Sequence, residues 1–370
     1  MTPEIELLLQ CCRPARNEGD GARRRRALTA AVDWDHAVTL ARAHNVVPLL
    51  YRRLGQNSWR GVPPPTSALL KELVRANLIR NSDRLRALFR LLDALAAGAV
   101  RALPVKGPVL AAQAYADQAM RAYSDLDIMI APGDFAAACR LLEREGYEPG
   151  IALRGDLAPA FASQETGMPL ARGAGEAVEL QWNYLPGYFA RPCDFDALWG
   201  RRRMVPVGNR LVPTLADDET LLLLCLHGLK HGWDRLCLAA DLAHFIHGAR
   251  PALPETTMPV VAGLRLVEML GLAAPRPGRG DGGGGGRTAE ALADGWRRRL
   301  YGTAAGPPLA TALGREYLAA QPGIAGKLGF LFRLLFTPTL EDWKTSRGSR
   351  PGRLLRPVRL VISHCLRRRR

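Results

Sequence analysis

Lysine is scarce in this chain: only five of its 370 residues are Lys, although Lys and Arg together number 51. Arginine, alanine, glycine and proline are used heavily, a bias that coding composition produces as readily as function, so a surface arginine assigns nothing by itself. No uninterrupted apolar run approaches the roughly 20 residues that a bilayer-spanning helix needs. The N-terminus, MTPEIELLLQ, carries acids and no basic segment before its apolar residues, so no secretory signal is expected. Cysteine lacks framework spacing: there are seven, an odd number, and Cys11-Cys12 is an adjacent pair. That pattern fits a reducing compartment better than a disulfide scaffold. A cytoplasmic location is the default expectation.

The chain is 48% hydrophobic, enough for two or three cores at this length. Its formal charge of +16 is unevenly spread, because ten Lys or Arg and no acid lie from Lys344 onward. That basic run also lacks aromatic residues between its arginines, which argues against stacking on nucleic-acid bases. A solvated tail and contact with an anionic membrane surface both remain open for it, since its aliphatic positions can make a basic amphipathic helix.

Apolar residues at three- and four-residue spacing predict two amphipathic helices, over 30–54 and 66–98, separated by the breaker VPPPT. The pattern then changes. VRALPVKG predicts a short strand, PVLAAQAYA a helix, DLDIMIA a strand, and PGDFAAACRLLEREG a helix opening at Pro and closing at Gly. Further strands are expected over 147–153 and 177–184, and a hairpin over 203–213. Strong helices follow at LADDETLLLLCLHGLKHG and WDRLCLAADLAHFIHGA, with weaker ones near 258–271, 288–302, 308–320 and 324–336. This divides the chain into a helical region (1–98), a small α/β core (99–214), a helical domain (215–343) with a flexible Gly-rich loop at 275–287, and a basic tail (344–370).

The stretch RAYSDLDIMI places two acids in an apolar strand. Strand alternation sends Asp125 and Asp127 to one face, with Leu126 and Ile128 on the other. Two carboxylates that converge repel each other unless a proton, a cation or a substrate charge lies between them. Taken alone, an Asp-x-Asp pair also fits a solvated edge strand or a turn. Context favours a phosphate and metal site: upstream, a strand ends in Lys106-Gly107 and opens a helix, and downstream Glu179 lies in the apolar run VELQW.

The run LPVKGPVLAAQAYADQAMRAYSDLDIMI resembles an uncharacterised bacterial nucleotidyltransferase family within the DNA polymerase beta-like superfamily. The resemblance extends to WDHAVTLARAHNVVPLL, VELQW and LLLLCLHGLKHGWDRLCLAADLAHFI, and covers roughly residues 30 to 345. It implies an α+β fold, a small mixed-sheet core flanked by helices, and metal-dependent transfer of a nucleoside monophosphate from NTP to a hydroxyl-bearing acceptor. Asp125, Asp127 and Glu179 would hold two Mg²⁺ or Mn²⁺ ions. Lys106, Gly107, Arg121 and Ser124 would meet the nucleotide's phosphates, through a lysine charge, close backbone approach and side-chain donors. Two departures stand out. Lys106-Gly107 replaces the Gly-Ser or Gly-Gly of the wider superfamily, and Gln181 replaces a His common after the third acid. A non-catalytic binding protein that kept the fold is the competing reading, and a basic-tailed membrane-surface adaptor is a third.

His227 and His231 share the four-residue spacing of zinc proteases, but HGLKH lacks their adjacent glutamate. A capping or substrate-facing role is expected for them, and surface positions for His244 and His247. Asp241 is expected to pair with Lys230, His231 or an arginine. Cys225, Cys237, Trp182 and Trp233 are expected in the core.

Overall fold

The computed structural model describes residues 1–14, 32–115, 117–153, 157–163, 165–173, 175–184, 193–249, 251, 257–274, 284–302, 315–319, 321, 323–337 and 340–345. Thr2 caps α1 (Pro3–Cys12) by accepting from the Ile5 amide, a helix that the sequence reading did not assign. The single helix expected over 30–54 is two, α2 (Trp34–Ala43) and α3 (Val47–Gln56). Asn45 makes the break at φ 57°, with the Asn45 and Val46 amides closing back onto the carbonyls of Arg42 and Ala41. Asparagine tolerates this left-handed position, and the two bonds satisfy carbonyls the helix end would leave open. The next helix, α4 (Pro64–Ala97), begins inside the proline run. A proline in the first turn loses no hydrogen bond, so the expected breaker serves as a start. At 34 residues α4 is about 50 Å long.

Around α4 the chain builds β1 (Ala102–Pro104), α5 (Gly107–Ala114), β2 (Asp125–Ile130), α6 (Phe135–Arg144), β3 (Glu148–Pro149), α7 (Ala158–Ala162), β4 (Gly167–Arg172) and β5 (Glu176–Gln181). The sheet order is β1-β2-β5-β4-β3. Only β2 and β5 are parallel, registering Asp127 opposite Glu179; the other pairings are antiparallel. On one face Leu126, Ile128, Ile130, Val178 and Leu180 join Leu88, Leu91 and Leu95 of α4 and Ala138 and Leu142 of α6 in a buried core. Alternation leaves Asp125, Asp127, Glu179 and Gln181 on the other face. The strand expected over 147–153 shrinks to two residues. β4, not among the expected strands, forms because β5 supplies it with a full antiparallel partner despite its Pro169.

After α8 (Phe195–Gly200), the expected hairpin appears as β6 (Arg203–Val207) and β7 (Arg210–Thr214). Thr214 Oγ1 donates to the Pro104 carbonyl at 2.6 Å, tying the hairpin to β1. Then come α9 (Asp217–Lys230), α10 (Leu236–Ala249), α11 (Met258–Met269), α12 (Gly284–Leu300), α13 (Gly323–Phe336) and α14 (Leu340–Thr345). Helices from both ends of the chain share one apolar cluster, with Leu7, Leu8 and Leu50 beside Cys225, Leu242, Phe245 and Trp296. Of the expected Gly-rich loop, 275–283 lies outside the described residues, and α12 already begins at Gly284. Most of the helix expected over 308–320, and the tail from 346, also lie outside them.

Ile128 is fully buried under the two aspartates. Ile128→Ala is expected to cost about 2–5 kcal/mol through lost burial and the cavity left behind. A urea titration of both proteins measures this; an unchanged midpoint would place Ile128 outside the core.

Candidate active site

Where β1 ends, the backbone has to leave the sheet and enter α5 within two residues. Gly107 does this at φ +53°, and a Cβ there would lie 3.5 Å from the Asp125 carbonyl and 3.8 Å from the Tyr123 ring. Left-handed backbone is strained for other residues. The turn therefore seats α5 directly beside the start of β2.

On the polar face of the sheet, the carboxylates of Asp125, Asp127 and Glu179 offer oxygens that all lie within 4.8 Å of one another. Asp127 is buried, at 4% exposure; the other two are half-buried. Gln181 Nε2 donates to Asp127 Oδ1 at 2.8 Å. Lys106 Nζ lies 2.7 Å from the same oxygen. Lys106, whose charge is expected at the phosphates, is 7% exposed and faces inward. Three converging carboxylates repel one another, and Lys106 brings an ammonium to the buried one. Its ammonium also approaches His227 Nδ1 at 3.4 Å. Burial, then the Lys106 charge and His231, push the His227 pKa well below the ordinary value, so its ring is neutral and can accept from the ammonium. His231 packs edge-on against it at 4.6 Å, and burial with Lys230 lowers its pKa to about 4.

Arg121 is turned away from the carboxylates. Nε and Nη2 bind Asp241 at 3.0 and 2.9 Å, and Tyr115 Oη donates to the same carboxylate at 2.8 Å. Burial opposes the arginine's charge, but Asp241 outweighs it and holds the pKa up. Nη1 sits 3.5 Å from the Gly107 carbonyl. The structure commits Arg121 to a buried ion pair that braces the Lys-Gly turn. The partner left open for Asp241 is thus an arginine. Ser124 is exposed, its Oγ 3.4 Å from Asp125 Oδ1.

The segment leading into β2 is strapped by groups outside the expected site. Asn81 Nδ2 donates to the Arg121 carbonyl at 2.9 Å, Asn77 to that of Ala119 at 3.4 Å, and Arg84 Nε to that of Ser124 at 3.0 Å. These residues form an i, i+4, i+7 polar row on α4, a signal visible as buried asparagines in an amphipathic helix. His244, expected at the surface, is 8% exposed; its ring stacks on Tyr115 at 4.4 Å, and Nε2 meets the Cys12 carbonyl at 3.1 Å. Burial lowers its pKa to about 4. Trp182, Trp233 and Cys225 are buried and Cys237 is half-buried.

A family model described as an uncharacterised nucleotidyltransferase matches residues 30–274, from α2 through α11. The chain belongs to that family. It is a phosphorus-transferring nucleotidyltransferase, and its mixed five-stranded sheet with flanking helices is the α+β core expected of one. No curated protein and no solved structure matches it.

Two outcomes follow for this nucleotidyltransferase. Arg121→Met leaves Asp241 buried without its cation and is expected to cost about 3–5 kcal/mol in chemical denaturation; a loss within error would make the pair dispensable. His244 and His231 hold folded pKa values near 4 against 6.5 when unfolded. The unfolded chain therefore binds protons that the folded chain refuses, so stability is full above pH 6.5 and falls toward pH 4. Denaturation midpoints across that window are expected to drop less steeply in His244→Gln than in the parent.

Proposed function

We propose that this nucleotidyltransferase moves a nucleoside monophosphate from NTP to a hydroxyl-bearing acceptor, using divalent cations held by Asp125, Asp127 and Glu179. One observation carries the reading: three carboxylates from two parallel strands meet within 4.8 Å beside a strand-to-helix turn. The donor set fits a hard divalent ion, since it offers carboxylate oxygens and neither thiolate nor imidazole. Asp125 and Asp127 would hold the ion that accompanies the triphosphate, and Glu179 would complete a second position beside the acceptor. Mg²⁺ is the first expectation and Mn²⁺ a substitute. When bound, such ions neutralise phosphate charge and lower the pKa of an attacking hydroxyl.

The protein's own groups prepare that chemistry. Gln181 orients Asp127 by its 2.8 Å hydrogen bond. Gly107 lets backbone approach a phosphate closely, and α5 opens at this point with the positive end of its dipole. Ser124, exposed beside Asp125, is available to a phosphate oxygen. Lys106 offers positive charge to Asp127 in the resting protein, and an incoming cation must compete with it for that carboxylate.

A second reading draws on the same contact. With Nζ 2.7 Å from Asp127 Oδ1 in a buried pair, Lys106 stands where a cation would, as expected of a binding protein that retained the fold without catalysis. Thermal shifts with NTP and Mg²⁺, followed by pyrophosphate release with candidate acceptors, separate the two. For a transferase, Mg²⁺ with NTP raises the melting temperature of the parent by mass action, and Asp125→Asn abolishes the metal-dependent part. Glu179→Gln is expected to keep NTP binding and lose transfer by about two to four orders of magnitude, the scale of removing a transition-state electrostatic element. NTP binding that ignores the metal in both the parent and Asp125→Asn would sink the transferase reading.

A further inference from the structure

Among the described helices, α13 turns its apolar side outward. Ile324, Leu328, Leu331, Phe332 and Leu335 occupy positions i, i+4, i+7, i+8 and i+11, which places them within a stripe about 100° wide. Their exposures are 78%, 62%, 40%, 64% and 41%. The stripe is held there by what lies around it. Phe330, on the opposite side of the helix, is 1% exposed in the core shared by α1 and α9 to α12. Past the end of the helix, Trp343 is wholly buried, its ring 5.2 Å from that of Phe161. Core contacts thus fix the roll of α13, and rolling the stripe inward would pull Phe330 into water.

Charge selects the occupant. Residues 317–340 contain no Asp or Glu, and Lys327 is exposed within the helix. Beginning at Lys344, eight residues past the last residue of α13, the sequence adds ten Lys or Arg and no acid. A second copy docked stripe to stripe would offer the same excess of positive charge and no acid within 317–340 to meet it. An anionic lipid surface instead meets both features at once: acyl chains take the apolar stripe and headgroups take the basic residues. At 14 residues α13 is too short to cross a bilayer, and no helix among the described residues is long and apolar enough to do so. It suits a helix lying in the interface.

We propose that α13, together with the basic sequence after it, docks this nucleotidyltransferase on an anionic membrane surface. Docking through this surface does not depend on the chemistry at the carboxylates. A single weak anchor binds membranes reversibly, and the combination of apolar burial with basic residues is what makes association stable.

The test is co-sedimentation of the full chain with vesicles of phosphatidylcholine, and of phosphatidylcholine mixed with phosphatidylglycerol, at low and high salt. Binding is expected to the mixed vesicles and to weaken with salt. Phe332→Glu and Leu328→Glu are expected to weaken it by about tenfold or more each, the scale of withdrawing one large apolar side chain from burial. Both sites are exposed, so their melting temperatures should match the parent, which a thermal melt verifies. Absence of binding to the mixed vesicles overturns the proposal. So does undiminished binding by both variants, which would assign the affinity to the basic sequence alone. Sedimentation velocity adds a third arm: a parent dimer that Phe332→Glu converts to monomer gives the stripe to a second copy and likewise overturns it.

Discussion

Like-charge repulsion among Asp125, Asp127 and Glu179 is the constraint around which the polar face of this fold is arranged. Oxygens of these groups converge within 4.8 Å on a sheet whose other face is buried hydrocarbon, and Asp127, the most buried of the three, is the least open to solvent screening. Lys106 answers it from the adjoining turn, Gln181 adds a hydrogen bond, and a neutral His227 backs the ammonium without adding to the positive charge. Removing the lysine alone would leave a buried carboxylate uncompensated, which is why its inward position is consistent with its burial. A resident ammonium also sets a threshold that any incoming divalent ion has to exceed.

The second constraint is positional. Asp125 can stand beside the Lys-Gly turn only if the irregular segment ahead of β2 is held. α4 holds it through Asn77, Asn81 and Arg84, while Arg121 reaches from the same segment to Asp241 on α10. The arginine and its partner are 120 residues apart in sequence, so the pair ties the sheet to the later helices. Buried ion pairs of this kind contribute little net stability when formed but are costly to break, which suits a part whose task is to keep a turn in place.

Much of this was legible in linear order. Period-two alternation sends Asp125 and Asp127 to one face, and the apolar flanks of Glu179 mark it as a strand residue of the same kind. The hairpin 203–213 and the helices of 217–249 announce themselves by period and by their turn residues. β4 was hidden because Gly167 and Pro169 depress strand propensity, and pairing with β5 overrode it. His244 was misplaced because a histidine on an amphipathic helix gives no sign of which neighbour will cover it; Tyr115, 129 positions earlier, does so. The break at Asn45 was missed because the apolar period runs on across it.

The sequence by itself determined the strongly periodic helices, β2 and the 203–213 hairpin, the split of β2 into an apolar and an acidic face, and the excess of positive charge near the C-terminus, because these follow from local periodicity and composition. Only the tertiary structure decided which charges meet. Lys106 could reach a phosphate or Asp127, Arg121 a phosphate or Asp241, and Leu328 a core or open solvent, with the same local pattern in each case. The physical reason is that partner choice depends on desolvation and on distances between segments far apart in the chain, and neither is encoded in the spacing of neighbouring residues.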